Sequence, residues 1–212
     1  MSRSKVLYQC QSCGYASPKW LGKCPDCGAW NSFSEEQKIV GLKRQNTAEP
    51  VALSEIAAST GTRYSTGIKE LDRTLGGGVV MGSVILIGGD PGIGKSTIIL
   101  QSLNGLAKLG TVLYVSGEES PEQIKIRADR LNIESDQIVL LPETSLEGIL
   151  SVAQKINPKV IVIDSIQTIF SVELPSAPGS VGQIRECATK LMFMAKKNNI
   201  PLFIIGHVTK EG

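Results

Sequence analysis

This 212-residue sequence has no long apolar run, no marked excess of either charge, and few cysteine or aromatic residues beyond its first segment. No hydrophobic stretch approaches the roughly 20 residues that span a bilayer, so a membrane helix is not expected. The opening residues, MSRSKVLYQC, have no apolar core of the kind a secretory signal carries, and a cytoplasmic location is expected. Lys and Arg total 22 against 20 Asp and Glu, a formal net charge of +2. Residues 61–212 balance outright, so charge alone does not point to nucleic acid. There is no internal repeat. With 42% hydrophobic and 20% charged residues, the chain is neither a collagen, nor a disordered tail, nor a disulfide-stapled miniprotein. It is long enough for one or two domains with a buried core.

What cysteine there is sits together. Four of the five cysteines, and Tyr8, Tyr15, Trp20, Trp30 and Phe33, fall within the first 33 positions. Cys10-x-x-Cys13 and Cys24-x-x-Cys27 are each followed by a glycine, Gly14 and Gly28. Two such turns present four thiolates tetrahedrally, the geometry of structural zinc, and leave no open coordination position for catalysis. A disulfide pair and a redox Cys-x-x-Cys are the competing readings. The expected compartment disfavours the first, and a redox motif needs no matching second pair. So short a segment cannot bury enough apolar surface unaided, so the metal supplies folding free energy and the five aromatics are expected to form the small core. Four thiolates and one Zn²⁺ also bring the formal charge of +2 to about zero, so the slight basic excess of residues 1–60 does not mark a DNA-binding arm.

The expected domains are a zinc ribbon at 1–33, a polar linker at 34–60 and a larger core at 61–212. In the core, short apolar runs alternate with helical patterns, the signature of an α/β fold with a mostly parallel sheet. Strands are expected near 83–88, 111–116, 137–141, 160–164 and 201–206. Ser120-Pro121-Glu122-Gln123 reads as a capping box opening a helix. Asn157-Pro158 ends another that begins near Ser145. Ile184, Ala188, Leu191, Met192 and Ala195 recur at helical spacing as a buried stripe, with Cys187 a small buried side chain beside them.

Gly89-Asp90-Pro91-Gly92-Ile93-Gly94-Lys95-Ser96, followed by Thr97, matches the phosphate loop G-x-x-x-x-G-K-[ST], with an apolar strand before it and a helix-forming run after it. Its backbone N–H groups and the helix N-terminus cradle phosphate oxygens of ATP. Lys95 reaches the β- and γ-phosphates and Ser96 ligates Mg²⁺. Val160-Ile161-Val162-Ile163-Asp164 is an apolar strand ending in a carboxylate, the second Mg²⁺-holding position. Glu118 follows the strand TVLYVSG and is the first choice to polarise the attacking water, with Glu119 second. Both also suit a helix N-terminus simply as acids near its dipole. His207 ends the last strand, either as a plain strand-end residue or as a sensor of the γ-phosphate.

Taken together, these residues resemble the bacterial RadA/Sms DNA repair and recombination family, within the RecA-like ATPases. The resemblance covers essentially the whole chain: the four-cysteine ribbon, Ser65–Gly78 (STGIKELDRTLGGG), Gly88–Thr97 (GGDPGIGKST), Tyr114–Ser120 (YVSGEES), Val162–Thr168 (VIDSIQT) and Gly206–Gly212 (GHVTKEG). It implies a RecA-like P-loop core and an ATP-driven motor that forms a homo-oligomeric ring. That motor would act on single-stranded or branched DNA, in branch migration alongside RecA recombinase. It also implies that the chain is an N-terminal portion with an ATPase core incomplete at its C-terminal end, an open edge beside the phosphate-loop strand, and weak turnover alone. The DNA-facing loops of such proteins correspond to Phe170–Ser180, which carries no lysine or arginine, and to the segment after His207, where Lys210 is the one basic residue. Two other readings stand beside it: a RecA-like ATP-driven assembly switch with a protein partner, and a zinc-ribbon scaffold that binds ATP but hardly turns it over.

Overall fold

The computed structural model describes residues 6–37, 51–55, 62–174 and 176–207. The chain divides into two compact units, residues 1–62 and 63–212.

In the first unit, strands β1 (Val6–Cys10), β2 (Ala16–Ser17) and β3 (Phe33–Gln37) form an antiparallel sheet in the order β2-β1-β3. The sheet therefore reaches four residues into the stretch expected as linker. Gly14 N–H donates to Cys10 O and Gly28 N–H to Cys24 O, closing the two Cys-x-x-Cys turns. Both glycines have positive φ, 78° and 74°, which an L side chain adopts only with strain. Cys10, Cys24 and Phe33 are the buried apolar residues, with Tyr8, Cys13 and Leu21 against them. The expectation that all five aromatics form the core is corrected here: Tyr15, Trp20 and Trp30 are 39%, 51% and 71% exposed. A sheet this small has one interior face, and Phe33 fills it. Tyr15 packs edge-on against Phe33, and Lys23 lies 5.5 Å over the Trp30 ring. Residues 38–50 and 56–60 of the expected linker lie outside the described residues, and Leu53–Glu55 form a 3-10 turn.

The second unit opens with a two-stranded antiparallel ribbon, β4 (Arg63–Tyr64) and β5 (Val79–Val80), flanking α1 (Lys69–Thr74). Asp72 ties this approach together, accepting from Ser65 Oγ, Thr66 N and Thr66 Oγ1 at 2.5–2.8 Å. Burial opposes the Asp72 charge, but these bonds outweigh it and hold the carboxyl below its ordinary value. Five strands then alternate with helices: β6 (Val84–Gly89), α2 (Lys95–Leu106), β7 (Val112–Ser116), α3 (Pro121–Arg130), β8 (Ile138–Leu141), α4 (Leu146–Ile156), β9 (Val160–Asp164), α5 (Val181–Lys197) and β10 (Leu202–His207). All five are parallel, in the order β6-β10-β9-β7-β8. Every residue of β7 and β9 is buried, as a strand covered on both faces requires. Side chains alternate between two cores. Val112, Tyr114, Val160, Val162, Phe203 and Ile205 meet α2 and α3, whereas Leu113, Val115, Ile161, Ile163, Leu202 and Ile204 meet α4 and α5. The strand expectations hold to within about a residue.

The helix signals are realised in detail. Ser120 and Gln123 exchange both bonds of the capping box. Ser145 caps α4, and Asn157 ends it in the left-handed region at φ 46°. On α5, Cys187, Leu191 and Ala195 are buried and Ile184 and Ala188 pack at the margin, but Met192 of the expected stripe is only half-buried and Met194 joins this core instead. Burial pushes the Cys187 thiol up to about 11, which suits an inert packing residue. β6 is an edge strand with no partner on its outer side among the described residues, and its Leu86 is 70% exposed.

One packing constraint lies in α2. A Cβ at Gly105 would stand 2.5 Å from the backbone oxygen of Thr66. Alanine normally gains about 1 kcal/mol over glycine inside a helix. Gly105→Ala is expected instead to lower stability by about 1–3 kcal/mol, measured by urea unfolding, because Thr66 O belongs to backbone held by Asp72.

Candidate functional sites

The four thiol sulfurs of Cys10, Cys13, Cys24 and Cys27 lie within 4.8 Å of one another. Cys10 and Cys27 sulfurs are 3.7 Å apart, and Cys13 and Cys24 sulfurs 3.5 Å. A zinc tetrahedron with bonds of about 2.3 Å has edges of about 3.8 Å, so the donors fit that ion. Burial works against a Cys10 thiolate, but the Ser32 hydroxyl 3.2 Å away and the backbone at Cys13 and Ser12 bring its pKa down to about 6. For Cys13 the Tyr15 backbone favours the thiolate, yet burial and the three neighbouring cysteines push it up to about 12. Four sulfurs so close do not all ionise without a cation among them, and an ion of charge +2 removes that conflict.

In the second unit, parallel strands deliver their C-terminal ends to one edge of the sheet, where α/β proteins bind ligands. β6 leads into the phosphate loop, Gly89–Ser96. Gly92 and Gly94 have open space where a Cβ would sit, and glycine is required there by φ of 80° and 100° rather than by crowding. Asp90, Pro91 and Ile93 are exposed along the loop, Lys95 is buried, and Ser96 and Thr97 start α2 half-buried. Lys95 Nζ donates to Gly89 O at 2.6 Å and Asp90 O at 2.8 Å, holding the ammonium inside the loop.

β9 ends in Asp164, buried, and its register aligns Ser116 of β7 and Ile205 of β10 beside that carboxylate. Tyr114 OH donates to Asp164 Oδ2. Burial, then the Asp164 charge, raise the phenol above its ordinary value, so it remains a donor. Just past β7, Glu118 Oε1 accepts from Ser165 Oγ at 2.5 Å and stands 3.3 Å from His207 Nε2. Gln167 reaches from beyond β9 to donate to His207 O at 3.1 Å. Glu118, Ser165 and His207 are thus brought together from the ends of three strands. Glu119 turns the other way: its carboxylate pairs with Arg127 of α3, and its backbone is bound by Ser116 Oγ.

The loop after β9 is shaped by one buried amide. Gln183 Nε2 donates to the carbonyls of Ser171, Leu174 and Ser176, and its Oε1 accepts from Ser171 N. At the loop tip Glu173 pairs with Lys190, which also meets Glu186. Lys210 lies outside the described residues.

Sequence reasoning did not reach Tyr114, Ser165, Gln167, Arg127, Gln183 or Gly117. A Cβ at Gly117 would come within 2.3–2.8 Å of Thr168 and Thr144 atoms, so the turn into Glu118 has room only for glycine. The available signal was Tyr114 itself, a polar tip inside an otherwise apolar strand.

Known proteins place these features in context. Residues 8–35 match the zinc-ribbon family described as a rubredoxin metal binding domain, and residues 64–140 match the ATPase family described as KaiC. Over its whole length the chain is 50% identical to the DNA repair protein RadA of Bacillus subtilis (strain 168), of which it covers 48%. It is likewise 50% identical to the DNA repair protein RadA of Campylobacter jejuni, covering 49% of that protein. The chain therefore spans about half the length of these curated relatives. The crystal structure of a KaiC-like protein from the hyperthermophilic archaeon Pyrococcus horikoshii OT3 aligns with a TM-score of 0.57 at 22% identity, covering 69% of this chain and 72% of that one, a likeness of fold.

The four-cysteine site makes a direct prediction. Elemental analysis should find one zinc per chain. Cys24→Ala should abolish it and erase the ribbon's dispersed NMR resonances while those of residues 63–212 stay in place. Loss of both sets would show that the core depends on the ribbon.

Proposed function

We propose that this chain belongs to the RadA family of DNA repair proteins, which it resembles over the span it covers, and carries the Mg²⁺-dependent ATP-hydrolysing core of an ATP-driven repair motor acting on DNA. The observation that supports this most is the convergence of Asp164, Ser165, Glu118 and His207 on the sheet edge that β6 shares with a complete phosphate loop.

Each side chain then has a task. The loop backbone Gly89–Gly94 and the N-terminus of α2 bind the phosphates, and Lys95 turns from Gly89 O and Asp90 O toward the β- and γ-phosphates. Ser96 and Asp164 supply a hydroxyl and a carboxylate oxygen, the hard donors that Mg²⁺ takes. Bound magnesium neutralises charge on the β- and γ-phosphate oxygens. Glu118 orients the attacking water and accepts its proton, with Ser165 fixing the carboxylate. Glu119 is the weaker choice because Arg127 holds it. His207, beside Glu118 and tied through its carbonyl to Gln167, reports the γ-phosphate to the segment after β9.

On this proposal, the whole protein acts on single-stranded or branched DNA, assembles as a homo-oligomeric ring and works with RecA recombinase in the bacterial cytoplasm. No helix among the described residues is long and apolar enough to cross a membrane. A second reading, an ATP-driven assembly switch with a protein partner, is favoured by the neutral charge of residues 61–212 and the absence of Lys and Arg from Phe170–Ser180. Stimulation of ATP turnover by single-stranded DNA in the intact protein, weakening as salt rises, supports the motor; no stimulation and no salt-dependent binding would leave the switch.

Glu118→Gln should bind a fluorescent ATP analogue with wild-type affinity and lose turnover by about 100-fold or more. An equally slow wild-type protein would mean that the core binds ATP as a scaffold.

A further inference from the structure

The mechanism above leaves one polar group of the core without a task. Tyr114 is the central residue of β7, fully buried in the apolar layer that α2 and α3 cover. Its Cα lies opposite Val162 of β9, so Asp164, two residues further along β9, is the diagonal neighbour on the same face of the sheet. A tyrosine spans that diagonal, and its hydroxyl meets Asp164 Oδ2. Among the described residues no protein donor is bonded to Oδ1.

We propose that Tyr114 is a positioning residue for the magnesium site: its phenol takes the inward oxygen of Asp164, fixes the plane of the carboxylate and leaves the other oxygen to the ion shell. The inference rests on Asp164 serving Mg²⁺ as read above. Its physical basis is general. A carboxylate at the end of a buried strand is desolvated on its inward side, and a neutral donor there stabilises the charge without competing for the metal. Partners of this kind orient ligands, and their loss typically weakens metal affinity about 10- to 100-fold.

The test uses Mn²⁺ as probe, titrated by electron paramagnetic resonance in the presence of a non-hydrolysable ATP analogue. Tyr114→Phe should weaken Mn²⁺ binding about tenfold while affinity for the analogue in EDTA stays within twofold of wild type. In an Asp164→Asn background the same substitution should change Mn²⁺ affinity by less than twofold, because its effect passes through that carboxylate. Wild-type Mn²⁺ affinity in Tyr114→Phe, even with a lowered melting temperature, would overturn the proposal and leave Tyr114 a packing residue. Equal losses in both backgrounds would overturn it too. Should the variant fail to fold, 3-fluorotyrosine labelling of the unmutated protein decides: Mn²⁺ with the analogue should broaden the resonance of the buried tyrosine, and an unbroadened line refutes the assignment. A wild-type protein that binds the analogue but no Mn²⁺ would instead sink the magnesium-dependent reading itself.

Discussion

Three parallel strands, β7, β9 and β10, are covered on both faces, and their register governs everything at the sheet edge. Because successive side chains point to opposite faces, a slip of one residue in β9 would carry Asp164 from the α2 side of the sheet to the α4 side and expose apolar residues to the wrong layer. Burial of Ile161 and Ile163 on one face and of Val160 and Val162 on the other therefore fixes where the carboxylate emerges. Tyr114, held in the same layer, can only reach Asp164 in that register. The position of Ser165 follows, and with it the bond to Glu118. The polar site is thus set by apolar packing several residues below it.

The two units answer the same problem of surface and volume differently. The core spreads its apolar residues over two layers and needs no metal to close them. Among its described residues the ribbon has three buried apolar side chains, two of them cysteines, and leaves Tyr15, Trp20 and Trp30 exposed. Its interior is effectively a set of four sulfurs whose proximity is unfavourable as thiolates until a divalent ion is shared among them. Trp30, 71% exposed, carries a lysine over its face.

What could be read from the chain alone was whatever a local pattern encodes. Strand limits, the capping box at Ser120, the stop at Asn157 and the glycine-rich turn between β6 and α2 all depend on residues within a few positions of one another, and they appear where the patterns put them. The partners of the site residues were not legible. Tyr114 and Asp164 are 50 positions apart, Ser165 and Glu118 47, and His207 and Glu118 89. Such bonds exist only once the strand order β6-β10-β9-β7-β8 is established, and no periodicity states that order. The aromatic residues of the ribbon misled for a related reason. Hydrophobic character predicts burial only where there is volume to bury it, and so short a sheet has little.

Glu118 and Glu119 make the same point within one dipeptide. Both follow the same buried strand and precede the same capped helix, so sequence position separates them hardly at all. Gly117 lets the chain turn tightly against Thr168, which sends consecutive side chains to opposite sides. Glu119 then meets a fixed cation on α3, and its charge is spent in holding that helix to the end of β7. Among the described residues Glu118 meets a hydroxyl and an imidazole, groups that orient its carboxylate. A carboxylate proposed to hold the attacking water needs an oxygen free to face it, and a guanidinium bound to Glu119 takes that place. On the proposed reading, Arg127 separates the two identical neighbours: it lies eight residues from Glu119, seventh of the ten residues of α3, and holds only that carboxylate among the described residues.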